Sequence, residues 1–537
     1  MPTDLSDKND PKTLVHIEPT SLMGWLALSF TDLWFVGIVI LLTAGGLAPK
    51  LLGDAGIGWH IRNGEQILQT HTITRIDPFS VTTIEQKWYA WEWLYDIAIA
   101  EVHAHGGLNG VVFFTAIVIA ATFALALRVA LARGATVPIT LLLLAFSLAA
   151  SSIHFLARPH VLSWMFCVVW FSVLDKAATS DDPKQWRQLY WLPPMLLLWA
   201  NLHGGFLVGL VLLGLYLADA LSGYWRSRES AASQRAAAWA VLLARVTGLS
   251  FLASLVNPYG LALYSHIYAY LSDRFLMDHI DEFQSPNFHG IAQKCFLILL
   301  LMAMVALTAN EKKLRPAHWL IVLFAAYSGL YSSRNLPVSS LLLTFIIAPL
   351  LSQEIKEATE AASVAQKLRT FLFRLHRFSS RVTMLESRFR GHLWPAFALL
   401  FGLWACLHGG TVGARQVIDA RFSETRFPVL AVNEIKQSNI REPVFAPDYW
   451  GGYLIYRFYP ERRVFVDDRH DLYGSKFFQQ YLTTIHVEPG WSNLLDSMQV
   501  NWVLVPSGSP LANILKEMPS WKITYQDQTA VLFHREN

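Results

Sequence analysis

The sequence predicts an α-helical, polytopic membrane protein with about eleven or twelve spans and a small soluble α/β domain at its C-terminal end. Three observations carry this prediction. Of its 537 residues, 53% are hydrophobic and only 15% are charged, whereas soluble proteins carry roughly a quarter charged residues. The apolar residues are collected into runs of the length that crosses a bilayer. From residue 414 onward the composition changes to short helix-like stretches, near 475–485 and 509–517, and short strand-like runs, at Val464–Val466, Trp502–Val505 and Ala530–Phe533.

Eleven apolar segments are candidate spans, and several of them are short. They lie near residues 31–51, 111–131, 137–153, 158–175, 189–200, 204–222, 237–256, 293–310, 317–332, 336–352 and 393–413. Residues 91–106 could form a twelfth span. Three acidic residues and His103 within that stretch favour a helix that lies along the membrane surface instead.

Lysine and arginine are concentrated in alternate connections between the predicted spans. Examples are Arg128, Arg133, Lys176, Lys184, Arg226, Arg235 and Arg315. The segment 353–391 alone holds eight such residues, and the positive-inside rule places all of these connections in the cytoplasm. We therefore expect a multi-pass protein of a bacterial inner (plasma) membrane, with a cytoplasmic segment 1–30 and a transmembrane domain 31–413. The first loop, 54–110, and the domain 414–537 then lie on the outer, periplasmic or extracellular, side.

The first outer loop is too polar to cross a membrane and too aromatic to be a passive linker. Between residues 54 and 107 it holds four histidines, four tryptophans and seven acidic residues. The acidic residues are Asp54, Glu65, Asp77, Glu85, Glu92, Asp96 and Glu101. A loop of this kind beside a span indicates chemistry at the membrane surface on a lipid-linked substrate.

Polar residues also occur at the other predicted outer ends of the spans. Arg158 and His160 begin one span, His203 lies between two spans, and Arg334 lies at a further outer turn. Ionisable residues at membrane depth are costly and are generally functional. Arg158 could instead snorkel towards the surface, and His203 could simply end a short helix. The functional interpretation is that these groups converge on one cavity at the membrane boundary.

The composition excludes several other classes of site. The net charge is only +3, and no basic patch indicates a nucleic-acid partner. Cys167, Cys295 and Cys406 all fall inside apolar runs, so neither a disulfide framework nor a zinc site is predicted. The acids are not clustered as divalent metal ligands usually are. No cofactor and no metal ligand are therefore predicted, and dependence on a divalent metal stays open because no clear ligand spacing supports it.

At this point the chain resembles the GT-C superfamily of membrane glycosyltransferases, which includes protein O-mannosyltransferases and bacterial transferases that modify lipid A or cell-wall glycans. The resemblance covers most of the chain. The chain is most similar to bacterial members of the superfamily that share a pattern of residues in the first loop. That pattern comprises Asp54, Trp59-His60, Gly64, Asp77-Pro78-Phe79-Ser80, Trp88, Glu92 and Trp93-Leu94. Members with this pattern often carry a second acid two residues after the first, where this chain has Gly56.

The resemblance implies an enzyme that transfers a hexosyl or pentosyl group from a polyprenyl-phosphate donor to a glycan, lipid or protein acceptor, with inversion. A hydroxyl acceptor must lose its proton, which a carboxylate within hydrogen-bond reach can take. Asp54 is the first catalytic candidate and Asp77 the second. Arginines stabilise a leaving phosphate by charge-assisted hydrogen bonds. The candidate substrate-binding residues are His60, Glu92, Arg158, His160, His203 and Arg334.

Three other functions share parts of this pattern. A transporter or flippase would need charged groups deep in the spans and repeated halves, and few acids lie inside the spans of this sequence. An envelope-assembly scaffold would need no carboxylate, so its function would survive changes at Asp54 and Asp77. A ligase of lipid-linked glycans would have the same architecture as the transferase.

Overall fold

The computed structural model describes residues 26–45, 47–180, 182–227, 233–309, 314–361, 364–389 and 392–536. All but the last five residues of the predicted cytoplasmic segment 1–30 lie outside this part of the chain. The structure is mostly helical. It has a four-stranded sheet in the C-terminal domain and a two-stranded antiparallel sheet, Thr411–Val412 with Arg415–Gln416, where that domain begins. The predicted fold class, a polytopic helical membrane protein with a soluble α/β domain, is confirmed.

A helix occupies each of the eleven segments that the sequence predicts to be spans. These helices are Phe30–Thr43, Trp93–Ala132, Val137–Ser151, His160–Thr179, Leu192–Leu202, Phe206–Ser227, Ser233–Ser254, Ile291–Ala309, Pro316–Tyr331, Leu336–Glu360 and Leu393–Leu407. Within the described residues, seven helical segments are long and apolar enough to cross a membrane by themselves. The helices Phe30–Thr43 and Leu393–Leu407 are apolar but shorter.

The first loop folds into a layer over one end of the helical bundle. A short 3-10 helix, Ala48–Leu52, precedes the loop, and the loop contains an α-helix, Ile57–Thr70. The following helix, Trp93–Ala132, is 40 residues long and is interrupted at Gly107, whose backbone angles (φ 56°, ψ −154°) are not helical. Its first part packs on Ile57–Thr70 so closely that a side chain on Gly64 would collide with the backbone of Asp96.

The C-terminal domain is built on a four-stranded sheet. In spatial order its strands are Val444–Phe445, Trp502–Pro506, Ala530–Arg535 and Trp521–Gln526. The first pair is parallel and the other two pairs are antiparallel, with Val503 opposite Phe445 in one pair and opposite Phe533 in the next. The helices of the domain are Val429–Gln437, Asp448–Phe458, His470–His486, Ser492–Ser497 and Pro510–Glu517.

One predicted strand of this domain does not join the sheet. The segment Val464–Val466 forms a single parallel bridge to Ser80 of the first loop. The backbone N–H of Val464 donates to the carbonyl of Phe79, and its own carbonyl accepts from Val81. The prediction of a sheet strand here was wrong, because the backbone of this segment pairs with the first loop and not with a strand of the sheet.

A close crossing of two helices fixes the C-terminal domain to the first loop. Gly58 of Ile57–Thr70 faces Gly452 of Asp448–Phe458, and a Cβ atom on Gly58 would lie 2.1 Å from the carbonyl oxygen of Gly452. Arg62 adds two hydrogen bonds, of 2.6 Å and 3.1 Å, to the carbonyl of Tyr456. The soluble domain is therefore held in one position over the end of the bundle.

A buried ion network joins the helices of the bundle near the ends that lie away from the first loop. Asp175 forms an ion pair with Arg133, accepts a hydrogen bond from Tyr216 at 3.0 Å, and contacts His318 at 2.7 Å. Arg133 also donates to the carbonyl of Phe345 at 3.0 Å. Each polar group has partners, as burial requires, so this network stabilises the packing of the bundle at that end.

Candidate active site

A cavity of about 780 Å³ lies between the first loop, the end of the helical bundle and the C-terminal domain. We call it the polar chamber, because most side chains that line it are ionisable or aromatic. They include Asp54, Trp59, Trp88, Trp91, Glu92, Arg158, Glu282, Arg334, Asp448, Asp468, Arg469, His470 and Asp471. The chamber thus combines residues from three parts of the sequence that are hundreds of positions apart.

Asp54 and Arg158 meet at the wall of this chamber. The guanidinium of Arg158 donates from Nε to Oδ1 of Asp54 at 2.9 Å, and its Nη2 lies 2.6 Å from the same oxygen. The backbone N–H of Gly56 also donates to Oδ1. Burial opposes the charge of Arg158, but Asp54 and Glu282 outweigh it and raise its pKa. Asp54 is 31% exposed, so one oxygen is anchored while the carboxylate faces the chamber.

Asp468 of the C-terminal domain also binds the guanidinium of Arg158, through Nη2. Trp59 orients this carboxylate by donating its indole N–H at 3.1 Å. A Cβ atom on Gly56 would lie 2.0 Å from Nη2 of Arg158 and 2.7 Å from Oδ2 of Asp468. The space that a side chain at position 56 would need is therefore filled by Arg158 and Asp468, and the second carboxylate beside Asp54 comes from a distant part of the chain.

Glu92 lies deeper, among histidines. Its carboxylate is 3.6 Å from Nε2 of His203 and 3.8 Å from Nε2 of His60. Burial raises the pKa of Glu92 to about 7, and burial lowers the pKa values of both His60 and His203. At neutral pH this cluster therefore carries two neutral imidazoles and a carboxyl group that is close to half protonated.

The hydrogen bonds of His203 define its tautomer. Its Nδ1 accepts from the backbone N–H of Gly205 at 3.0 Å and lies 2.7 Å from the hydroxyl of Ser163. That hydroxyl in turn accepts from the indole of Trp199. In the neutral ring the proton is therefore on Nε2, which points towards Glu92. His60 is held differently, with its Nδ1 2.5 Å from the carboxylate of Asp96.

A second cavity of about 390 Å³ opens beside the first. We call it the apolar chamber, since its wall consists mainly of hydrophobic side chains of the bundle. It is lined by Trp164, Trp199, Leu207, Val208, Ile267, Leu271, Met277, Phe283, Tyr331 and Val338, together with His160 and His203. Trp91, Glu92, Tyr270 and Arg334 line both chambers. The carboxyl group of Glu92 and the guanidinium of Arg334 therefore lie at the boundary between the polar chamber and the apolar chamber.

Arg334 is paired across this boundary with Glu282, at 2.7 Å. Burial would raise the pKa of Glu282, but Arg334 and Arg158 outweigh that effect and lower it to about 2. The guanidinium of Arg334 remains about one third exposed. Only one of its nitrogens is used by this ion pair, so the remaining N–H groups can bind an anion at the junction of the chambers.

The structure places Asp77 away from both chambers. Its carboxylate is buried and accepts from the N–H groups of Phe79 and Ser80, from the hydroxyl of Thr83, and from Arg469 at 2.8 Å. All of its hydrogen-bonding capacity is used within the fold. The assignment of Asp77 as the second catalytic candidate stays a prediction, and its burial inside the fold argues against it.

Sequence reasoning also missed the contribution of the C-terminal domain. The run Asp467-Asp468-Arg469-His470-Asp471 could be interpreted only as a salt-bridged turn or a recognition patch. Asp467 and Arg469 do form a buried pair, at 2.7 Å, while Asp468 and Asp471 line the polar chamber. No local motif signals this role, since the partner of Asp468 lies 310 positions earlier.

The remaining candidates are brought together. Asp54, His60, Glu92, Arg158, His160, His203 and Arg334 all line one of the chambers or contact a residue that does. Among the described residues, no group of three or more histidines, cysteines or carboxylates is placed to hold a metal ion. The expectation that the protein needs no cofactor stays a prediction.

This architecture defines a polytopic, mostly helical membrane protein, and its fold is similar to that of a solved archaeal oligosaccharyltransferase. The oligosaccharyltransferase of Archaeoglobus fulgidus, tethered to an acceptor peptide, is similar with a TM-score of 0.55 and 10% identity, over 94% of this chain and 74% of that chain. The same archaeal enzyme, AglB, in complex with an inhibitory peptide and a dolichol-phosphate, gives 0.53 and 11%, over 89% and 69%.

A third similar structure is ArnT from Cupriavidus metallidurans in the apo state. Its TM-score is 0.45 at 14% identity, over 93% of this chain and 95% of that chain. No family model and no curated protein matches the sequence. At identities this low, what the comparisons establish is the fold.

Proposed function

We propose that the protein is a glycosyltransferase that moves a sugar from a polyprenyl-phosphate donor to an acceptor on the outer face of the membrane. The observation that carries the proposal is the junction of the polar and apolar chambers at Glu92 and Arg334. A lipid-linked sugar has an apolar tail, an anionic phosphate and a polyhydroxylated head in that order. The order of the apolar chamber, Arg334 and the polar chamber matches it.

The donor occupies the two chambers as follows. The first isoprenoid units lie in the apolar chamber against Trp164, Trp199 and Val338. The phosphate lies at the junction, where Arg334 and the Nε2–H of His203 donate hydrogen bonds to its oxygens. The A. fulgidus structure with a bound dolichol-phosphate is a precedent for a lipid phosphate in this fold.

The reaction is a single displacement. The oxygen of the acceptor hydroxyl forms a bond to the anomeric carbon, and the bond from that carbon to the phosphate oxygen breaks, with the electron pair leaving on the phosphate. Asp54 accepts the hydroxyl proton on its free oxygen. Arg158 and the N–H of Gly56 hold the other oxygen and fix the direction of the carboxylate. Attack opposite to the leaving phosphate inverts the anomeric centre.

The test is turnover by the purified protein in lipid vesicles supplied with radiolabelled polyprenyl-phosphate hexoses, pentoses and oligosaccharides and with an envelope extract as the source of acceptor. We expect release of polyprenyl phosphate by the wild type and a loss of roughly 10²- to 10⁴-fold in Asp54→Asn. Asp419→Asn is the matched control, since Asp419 is exposed and lies far from both chambers.

Each outcome of this experiment is informative. Release by the wild type and by Asp419→Asn, but not by Asp54→Asn, supports both the activity and the base. Equal release by all three proteins would keep the activity and reject Asp54 as the base. No release with any donor, from protein that elutes as a folded species, would reject the proposal.

A further inference from the structure

The helix Gln366–Arg388 lies across the ends of the bundle that are remote from the chambers. The carboxylate of Glu386 accepts hydrogen bonds from the backbone N–H groups of Phe30 and Thr31, at 2.6 Å and 3.2 Å. The hydroxyl of Thr383 accepts from the backbone N–H of Val137 at 2.9 Å. Phe30 and Val137 are the first residues of two apolar helices. The helix Gln366–Arg388 is therefore fixed at the level where these helices enter the membrane.

This helix is strongly cationic. It holds six lysines and arginines against one carboxylate, that of Glu386, which is already used by the backbone groups described above. The six are Lys367, Arg369, Arg374, Arg377, Arg381 and Arg388. Arg374, Arg377 and Arg381 are exposed, and none of the three forms an ion pair with a carboxylate of the described residues.

The same helix exposes large apolar side chains beside its basic ones. Phe371 and Phe378 are 60% and 59% exposed, whereas Ser379 is buried against the bundle. At 100° per residue, Phe371 and Phe378 lie on one edge of the helix, seven positions apart. Arg374 and Arg381 are also seven positions apart and form the adjoining stripe. An apolar edge next to a cationic stripe is the pattern of a helix that lies in a membrane interface.

We propose that the helix Gln366–Arg388 binds the anionic phospholipid headgroups of the adjacent leaflet, with Phe371 and Phe378 inserted between the acyl chains. Charge complementarity favours this ligand. The exposed arginines match the lipid phosphates, and the exposed aromatic rings beside them match the acyl chains below those phosphates. The positive-inside rule identifies this leaflet as the cytoplasmic one. The binding is independent of sugar transfer, since the helix contributes no residue to either chamber.

The first experiment measures lipid retention. The full-length protein is purified from membranes, exchanged into nanodiscs of phosphatidylcholine mixed with phosphatidylglycerol, and then delipidated with detergent before the bound lipids are quantified. We expect the wild type to retain phosphatidylglycerol in preference to phosphatidylcholine. In Arg374→Gln/Arg377→Gln/Arg381→Gln this preference should fall at least roughly tenfold, and high salt should reduce it in the wild type.

The matched control removes three exposed arginines from the C-terminal domain, as Arg421→Gln/Arg441→Gln/Arg463→Gln, and should leave the preference intact. Equal retention by the wild type and the helix variant would overturn the proposal. A second measurement does not depend on the folding of that variant. A photoreactive phenylalanine analogue at position 378 should form adducts with phospholipid on irradiation in native membranes. Adducts with another protein instead of lipid would also overturn the proposal.

Discussion

Asp54 of the first loop and Asp468 of the C-terminal domain both bind Nη2 of one guanidinium, that of Arg158. The C-terminal domain thus contributes a carboxylate to the same ion cluster as Asp54. The domain does not merely cover the chamber, because Asp468 completes the environment that orients Arg158 and, through it, Asp54. A side chain at position 56 would have to displace Arg158 or Asp468.

The close approach at Gly56 leads to a first prediction. Gly56→Ala should force the guanidinium of Arg158 away from at least one of its two carboxylates, because the added Cβ atom would lie 2.0 Å from Nη2. We expect turnover to fall by about tenfold or more, while the thermal unfolding temperature changes little, since the end of an arginine side chain can move. Gly214→Ala is the control, because a Cβ atom there meets nothing within 4 Å. Unchanged turnover in Gly56→Ala would show that the position of Arg158 does not matter for the reaction.

Glu92 makes donor binding depend on pH. Its pKa of about 7 means that the carboxyl is mostly neutral below pH 7 and mostly charged above it. A charged Glu92 repels the donor phosphate at the junction, so the Kd for the donor should rise as the pH rises through 7. If the bound phosphate shifts the pKa of Glu92 by one unit, the Kd for the donor changes by about tenfold between the neutral and the charged form of Glu92.

The check is the Kd for a polyprenyl-phosphate sugar, a phosphodiester whose charge stays constant over this range, measured by titration between pH 6 and 8 in the wild type, Glu92→Gln and Glu85→Gln. Glutamine is neutral at every pH, so Glu92→Gln should bind the lipid with a nearly constant Kd. Glu85 is exposed on the first loop, and its variant should follow the wild type. A pH dependence that persists in Glu92→Gln would assign the titration to another group.

Arg334 should act on donor binding more than on the chemical step. Arg334→Gln removes a charged hydrogen bond to the phosphate, which is worth about 1.5–3 kcal/mol, or roughly 10- to 100-fold in KM for the donor. Arg334→Lys keeps the charge without the planar fork and should recover only part of the loss. Arg274→Gln, at the exposed arginine that begins the helix Arg274–His279, is the control. A fall in kcat with an unchanged KM would contradict this role.

Asp77 should be a stability residue. Its carboxylate and Arg469 form a fully buried pair, and loss of one partner from such a pair costs about 3–5 kcal/mol. Asp77→Asn should therefore lower the thermal unfolding temperature of the purified protein markedly. The exposed pair of Asp496 and Arg535 is worth only about 0–1 kcal/mol, so Asp496→Asn should have little effect. If Asp77→Asn has the same thermal unfolding temperature as the wild type, the buried pair of Asp77 and Arg469 does not stabilise the protein.

The sequence is most informative about the helices, because their apolar runs and flanking basic residues are local signals. Each predicted span coincides with a helix, although several helices are shorter than a bilayer requires. Arg158, His203 and Arg334 could be selected from the sequence since a charged or polar group at the end of an apolar run is conspicuous. Successive spans cross the membrane in opposite directions, so every second connection lies on the same side. The three residues therefore lie on the same side of the membrane as Asp54 and Glu92.

The parts that escaped prediction depend on contacts between distant segments. Nothing near Asp468 in the sequence indicates that it faces Arg158, because the contact is made only when the helix Asp448–Phe458 packs on Gly58. The segment Val464–Val466 has the composition of a sheet strand but pairs with the first loop. Asp77 begins a turn whose N–H groups, from Phe79 and Ser80, bind its carboxylate, but its buried pair with Arg469 depends on packing between distant segments.

The most direct test of the account is a cryo-EM structure of the protein with a polyprenyl phosphate bound in nanodiscs. We predict density for the isoprenoid chain in the apolar chamber and for the phosphate between Arg334 and His203, with the polar chamber open to Asp54 and Asp468. A phosphate in that position would place the leaving group and the proposed base in one continuous site. A lipid bound elsewhere on the bundle, with both chambers free of it, would contradict the proposed reaction.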